Sequence, residues 1–398
     1  MSEQHTFAQR SQRKIYFNHA DLDYYLMWVM GREVYEGSKA SECMAAAQDM
    51  NAHTVSEWQR AWLDLAQSLE TQANQSNTPA PNAILRGLYL RACSYYRAAL
   101  FLMPPSHAQF QSSIANMQAC FARALPHFEF PIAPIQVAHQ GHTYHGYLWK
   151  PNNATPKRPL LIVIGGIETF AEDCYFMLGH SPLAYGYNVL TIDLPGQGVN
   201  PLAGAYFEAR MQRSVSAMLD VILARDDIDT KRVAVYGFSW GGHVVCKAAQ
   251  HDKRIKAVIA NPAMPDVFRA ALAQQKGVNR RDPISQSVFK QVAWRMGLKI
   301  SLNPADIGRR FVKAYDYLMH GKADISQITC PMLCLAGEGE PEITLKIAHE
   351  IYAKLSHPAK KLAIFTAAQN GEAHCQINNL VLPNQTMLTW LNELWRTE

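Results

Sequence analysis

The chain has 398 residues, 48% hydrophobic and 18% charged, which gives a globular composition with ample core material and a length beyond one small domain. Its net charge of +5 is mild and its Lys and Arg residues are scattered, so the sequence gives no support to a nucleic-acid or anionic-membrane partner. Eight cysteines without a CxxC pair, a polar Met1-Ser-Glu-Gln-His-Thr6 start and no apolar run of spanning length point to reduced thiols in a cytoplasmic protein.

Residues 1 to about 125 carry almost no strand signal, whereas strand and helix patterns alternate from about 130 onward. The expected division is a helical part over 1–127 and a second domain over 128–398. In the first part, Asp21–Met30 reads as an amphipathic helix start. Thr54-Val-Ser-Glu57 has capping-box spacing before a second helix that carries Trp58, Trp62 and Leu63. Residues 74–81 form a polar connection with two prolines. A third helix runs through Ile84–Arg97 until Pro104-Pro105 stops it, and a fourth occupies Ala108–Leu125. The aromatics Trp58, Trp62, Tyr89, Tyr95 and Tyr96 are read first as packing between helices.

Short strands follow: 132–137 and 143–149 around the turn His139-Gln-Gly-His142, then 160–164, 187–192, 233–237, 257–260, 332–336 and 362–365. The later strands are uninterrupted apolar runs separated by helical segments. This predicts an α/β fold, a mostly parallel eight-stranded sheet with helices on both faces, led in by an antiparallel pair. Ligands of such sheets bind beyond the carboxyl ends of the strands. The interval 265–327 is too long for a plain connection; its helical patterns at Ser287–Met296 and Ile307–His320 predict an inserted cap.

Val233-Ala-Val-Tyr-Gly237 reads as a buried strand, and Gly237-Phe-Ser-Trp-Gly241 then fits the G-x-S-x-G nucleophile elbow, with Gly242 to Ala248 continuing as a helix. Ser239 is the candidate nucleophile. The turn is so sharp that a Cβ two residues to either side would make strand and helix collide.

A serine hydroxyl needs a base, and the base needs a third group to fix its tautomer. His374, in the loop after the eighth strand, is the candidate base; His243, four positions past the serine on the elbow helix, should point away from its hydroxyl. The acid belongs in Gly337-Glu-Gly-Glu-Pro-Glu342 after the seventh strand, where no Asp is present. Glu340 is the first choice, Glu338 the second and Glu342 the third, with Asp266 and Glu372 as outside alternatives. The oxyanion donors are expected to be the backbone amides of Trp240 and of Ile167, which follows Gly165-Gly166. Gly166, Glu168 and Asp266 are substrate-binding candidates, although Glu168 reads more readily as a loop anchor, and Asp193 as a turn residue.

In their order along the chain, Tyr89-Leu-Arg-Ala, Tyr95-Tyr-Arg, Gly146-Tyr-Leu, Gly165-Gly-Ile-Glu-Thr169, Asp193-Leu-Pro-Gly-Gln-Gly198, the elbow and His374-Cys375 resemble the FrsA-like branch of the α/β-hydrolases. That branch includes dihydroxypseudooxynicotine hydrolase and polyketide-shortening hydrolases. The missing Asp after the seventh strand departs from its common pattern. The resemblance implies a cofactor-free, metal-free serine hydrolase acting on a small aromatic or polyketide-like molecule, either at an ester or at a carbon–carbon bond beside a ketone. Asp266 is then the candidate for an extra acid that protonates a carbon leaving group. It also implies a lid over the active-site edge built from residues 1–127, and a homodimer. Acyl or thioester transfer on the same acyl-serine, and a non-catalytic regulatory protein with this fold, are the competing readings.

Overall fold

Eight strands, β1 Ile132–His139, β2 His142–Trp149, β3 Arg158–Ile164, β4 Asn188–Ile192, β5 Ile228–Phe238, β6 Ala257–Asn261, β7 Met332–Gly337 and β8 Lys361–Phe365, form one sheet in the order β1-β2-β4-β3-β5-β6-β7-β8. The structure, a computed structural model, describes residues 10–51, 53–75, 81–154, 156–266, 269 and 281–396. The polar start, most of the 74–81 connection and part of the 265–327 insertion lie outside the described residues.

β2 runs antiparallel to both β1 and β4, and the other pairs are parallel. The β1–β2 turn places Gln140 and Gly141 at positive φ, as a two-residue hairpin requires. β5 begins earlier than its apolar run predicts, because Ile228 pairs with Arg158 across a register shift in β3.

The apolar runs of the central strands are explained by two cores, one on each face. Leu161, Val163, Val189, Ala234, Tyr236, Ile259, Leu333 and Leu335 point to one side, and their neighbours Leu160, Ile162, Leu190, Val233, Val235, Val258, Met332 and Cys334 to the other. The alternation is the period of two of a strand, and burial on both faces removes the polar half of the pattern.

On the first face helix Ala171–Leu178 lies against the sheet, and the N-terminal helices Ala20–Gly31, Ala40–Gln48, Val55–Asn74, Asn82–Leu100 and Phe110–Ala124 share one continuous apolar core with it and the strands. The capping box forms: the Thr54 hydroxyl accepts from the Glu57 amide at 3.3 Å, and Glu57 accepts from the Thr54 amide at 3.2 Å. The third helix stops at Leu100, ahead of the two prolines. Trp58 meets Trp62 edge-on at 5.5 Å and Trp62 meets Tyr95 at a tilt at 5.4 Å between the helices, and the Trp58 indole donates to the Ala98 carbonyl at 2.8 Å. They are packing residues.

A buried charge cluster holds these helices to the helix that follows β3. Asp173, on helix Ala171–Leu178 after β3, accepts Arg32 at 2.6 Å and Arg97 at 2.8 Å. Burial alone would raise the Asp173 pKa, but Arg97 and Arg32 outweigh it and hold it below the usual range. Removing one partner from such a buried cluster costs about 3–5 kcal/mol, because the remaining charges are left uncompensated. The insertion joins the same assembly: its helix Pro283–Arg295, capped by the Asp282 carboxylate on the Ser285 amide, donates from Gln291 to the Leu100 carbonyl at 3.1 Å.

Candidate active site

β5 delivers Ser239 at its carboxyl end, where the chain turns directly into helix Trp240–His251. Ser239 has φ 55° and ψ −124°, a strained conformation for a residue with a side chain. A Cβ on Gly237 would lie 2.0 Å from the Gly241 carbonyl oxygen, and one on Gly241 would lie 2.1 Å from that of Ile164. Glycine at both positions is therefore what lets the turn close. The Ser239 amide is tied to the Asn261 carbonyl of β6 at 2.7 Å, so the neighbouring strand helps to hold the strained residue.

The Ser239 hydroxyl lies 3.0 Å from His374 Nε2, and His374 Nδ1 lies 2.7 Å from Glu340 Oε1. This geometry sets the tautomer: with a proton on Nδ1 donated to Glu340, Nε2 is left as an acceptor for the serine proton. The His374 amide donates to the Arg10 carbonyl at 2.7 Å, so a segment from the start of the described chain fixes the histidine loop. Burial penalises the imidazolium, but the Cys375 sulfur and the Glu340 carboxylate beside it hold the His374 pKa well above the usual histidine range.

The three glutamates after β7 separate by direction. Glu340 is buried and faces His374. Glu338 turns away to accept from the Ala367 amide, and Glu342 opens helix Glu342–Lys354 on the exposed side. Glu372 is buried but accepts from Asn378 at 2.8 Å. His243 bonds the Met264 carbonyl at 2.9 Å, and burial lowers its pKa to about 4, so it is a neutral packing residue.

Ser239 opens on a cavity of about 150 Å³. Gly166, Ile167 and Glu168 of the loop after β3 line it, with Tyr24 and Trp28 of the first helix and Arg10 opposite. A Cβ built on Gly166 would be 3.0 Å from the Ser239 Cβ, so this loop runs along the serine. Trp240 begins the elbow helix, where its amide has no partner one turn back. Glu168 anchors as well as lines: its carboxylate accepts the Tyr25 hydroxyl at 3.0 Å, and its carbonyl accepts Arg97 at 2.7 Å and Arg295 at 3.0 Å.

Asp266 is not among the cavity's lining residues. It lines a separate groove with Arg269 and Lys322, where its carboxylate accepts the Arg269 amide at 3.0 Å. The expectation that it sits against substrate at Ser239 is therefore corrected. The cap segment after β6 carries it to the outside, where a carboxylate stays hydrated and paired.

Some contributors were not singled out from sequence. Gln197 donates its amide to the carbonyls of Gly165 at 2.6 Å and Gly166 at 2.9 Å, propping the loop beside Ser239. Its only signal is its place in Pro195-Gly-Gln-Gly198. Asp193, which the sequence marks as a turn residue, is buried, and burial together with Glu172 raises its pKa well above the usual range. Arg10 pairs with Asp21 at 2.6 Å and lays its guanidinium 4.0 Å from the Tyr24 ring centre.

Comparison with known proteins agrees with this architecture. Residues 167–359 match the model of the Alpha/beta hydrolase family. The solved structure of a 2,6-dihydroxy-pseudo-oxynicotine hydrolase superposes over 91% of this chain and 94% of its own, with TM-score 0.70 at 21% identity. The protein has the α/β-hydrolase fold. Among curated proteins, the chain is similar to the hydrolyase poxO of Penicillium oxalicum, 22% identical over 95% of this chain and 98% of the relative. It is also similar to the 20-hydroxy-prefusarin hydrolase FUS2 of Gibberella moniliformis, 25% identical over 92% of this chain and 94% of the relative.

Proposed function

We propose that the protein is a serine hydrolase in which Ser239 is the nucleophile, His374 the general base and Glu340 the group that orients and charges-balances the histidine. The observation that carries this reading is the continuous bond chain from the Ser239 hydroxyl through His374 to Glu340, at 3.0 and 2.7 Å. Ser239 attacks a substrate carbonyl as His374 Nε2 takes its proton. The tetrahedral oxyanion is received by the amides of Trp240 and Ile167, each donor contributing roughly 3 kcal/mol. When the intermediate collapses, the bond to the leaving group breaks and His374 returns the proton to that group. Water then attacks the acyl-serine, giving its proton to His374; the bond to the Ser239 oxygen breaks as His374 returns that proton to it, and the acid product leaves.

The substrate class is a small aromatic or polyketide-like carbonyl compound, cleaved at an ester or at a carbon–carbon bond beside a ketone. A cavity of about 150 Å³ has room for one aromatic ring. Its walls offer rings from Tyr24 and Trp28 and polar groups from Arg10 and Glu168. The relative named as a 20-hydroxy-prefusarin hydrolase and the fold match to a 2,6-dihydroxy-pseudo-oxynicotine hydrolase support this class. With Asp266 outside the cavity, His374 supplies the leaving-group proton in either chemistry. A cytoplasmic site of action accords with the eight cysteines, all free thiols.

Incubation with p-nitrophenyl acetate and with an aryl β-diketone, followed by mass analysis of the products, tests the reading. Turnover of the ester alone is expected for an esterase, and a carboxylic acid plus a methyl ketone from the diketone for a carbon–carbon hydrolase. Acyl transfer to an added alcohol in preference to water would point instead to the transferase reading.

A further inference from the structure

Helix Pro304–His320 of the insertion turns an apolar face to solvent. Phe311, Val312, Tyr315, Leu318 and Met319 lie on one side of it and are 56–73% exposed, and Ile300 and Leu302 extend the patch at its start at 58% and 91%. A solvated helix normally shows the reverse arrangement. With residues of this size roughly two-thirds exposed, the patch presents on the order of 800 Å². That exceeds what a monomer ordinarily exposes in one patch and equals one partner's share of a standard interface, about 800 Å².

The charged side chains of the helix are engaged within the chain. Asp306 pairs with Arg309, Arg310 donates to the Ser301 carbonyl at 2.8 Å, Lys313 donates to the Phe207 carbonyl, and Asp316 pairs with Arg210 at 3.2 Å. Within the helix itself, no Lys or Arg is thus left unengaged beside the apolar stripe to hold anionic lipid as an interfacial helix does. Its size pattern is also self-complementary. Ala305 and Gly308 are exposed at one end and Leu318 and Met319 at the other, with Phe311 and Val312 midway. A Cβ on Gly308 would meet nothing within 4 Å. Two such helices packed antiparallel about a two-fold axis near Val312 place the small end of each against the bulky end of the other, as an isologous contact demands.

We propose that this face is the two-fold interface between two copies of the chain. It is distinct from the N-terminal helices, and it backs onto the catalytic side, since the buried Tyr317 on the opposite face of the same helix packs its ring 6.0 Å from that of Trp240.

Sedimentation velocity of the full chain across a concentration series tests this. The wild type is expected to be a dimer, and Phe311→Asp and Leu318→Asp monomers with unchanged thermal melting. Gly308→Phe distinguishes interface from fold: it enters open space in the single chain, yet fills the hollow that Tyr315 of the second copy would occupy, so it should weaken the dimer without loss of melting temperature. Val312→Cys should form a disulfide-linked dimer on mild oxidation. A wild type that stays monomeric overturns the proposal, as does a dimer that persists in both Phe311→Asp and Gly308→Phe, or a monomer that instead floats with phosphatidylcholine vesicles.

Discussion

Ser239→Ala is expected to abolish turnover, lowering kcat by on the order of 10⁴–10⁶-fold while leaving the fold intact. The size of the effect follows from the geometry. The hydroxyl at 3.0 Å from His374 Nε2 is the group whose proton the histidine can take, and His243, the histidine of the elbow helix nearer in sequence to the serine, is bonded to the Met264 carbonyl. Residual activity would come only from the oxyanion donors and binding, with water replacing the serine. Steady-state kinetics on the best ester from the product screen measures it. A variant that kept turnover near wild type would remove Ser239 from the chemistry.

Glu340→Gln is expected to lower kcat by about 10²–10⁴-fold and to move the acidic limb of the pH–rate profile. His374 must be neutral to act as a base, so activity rises with pH through its pKa. Burial pulls that pKa down, but Cys375 and the Glu340 carboxylate outweigh it and hold it well above the usual histidine range, which places the wild-type limb above the ordinary value of about 6.5. Replacing the carboxylate with an amide removes a charge that favours the imidazolium and leaves the burial penalty, so the limb moves to lower pH while the plateau falls. Glu338→Gln and Glu342→Gln, whose side chains turn elsewhere, should leave both the plateau and the limb in place. An unchanged limb in Glu340→Gln, or a loss of equal size in Glu338→Gln, would contradict the assignment of Glu340.

The parts of this protein that could be read from residues alone are those whose physics is local. An apolar β-branched strand, two glycines flanking a serine and a helix immediately after define the elbow within about ten residues, because steric closure of the turn admits little else. The sheet was legible for a similar reason, since strands buried on both faces leave unbroken apolar runs between turn residues. The carboxylate that faces His374 was legible only to within a loop. Three glutamates spaced two apart after β7 look alike in sequence, and only the packed fold turns Glu340 toward His374 and Glu338 toward Ala367.

What escaped the sequence depends on contacts between distant segments. Arg10 reaches His374 and the cavity only because the first helix packs over the sheet. Gln197 props the Gly165–Gly166 loop across from a neighbouring strand. Asp266 was placed by its position after β6, but the cap carries it into another groove. The outward apolar face of Pro304–His320 was equally hidden: an amphipathic period marks a helix, while the direction in which its apolar side points is settled by packing.

Ser239 as the nucleophile is tested most directly by intact-mass spectrometry of the folded protein after incubation with a fluorophosphonate, followed by peptide mapping. One adduct per chain is expected, carried on Ser239, absent from Ser239→Ala and formed more slowly in Glu340→Gln. Folded protein that takes up no adduct, or an adduct that persists in Ser239→Ala, would contradict that role.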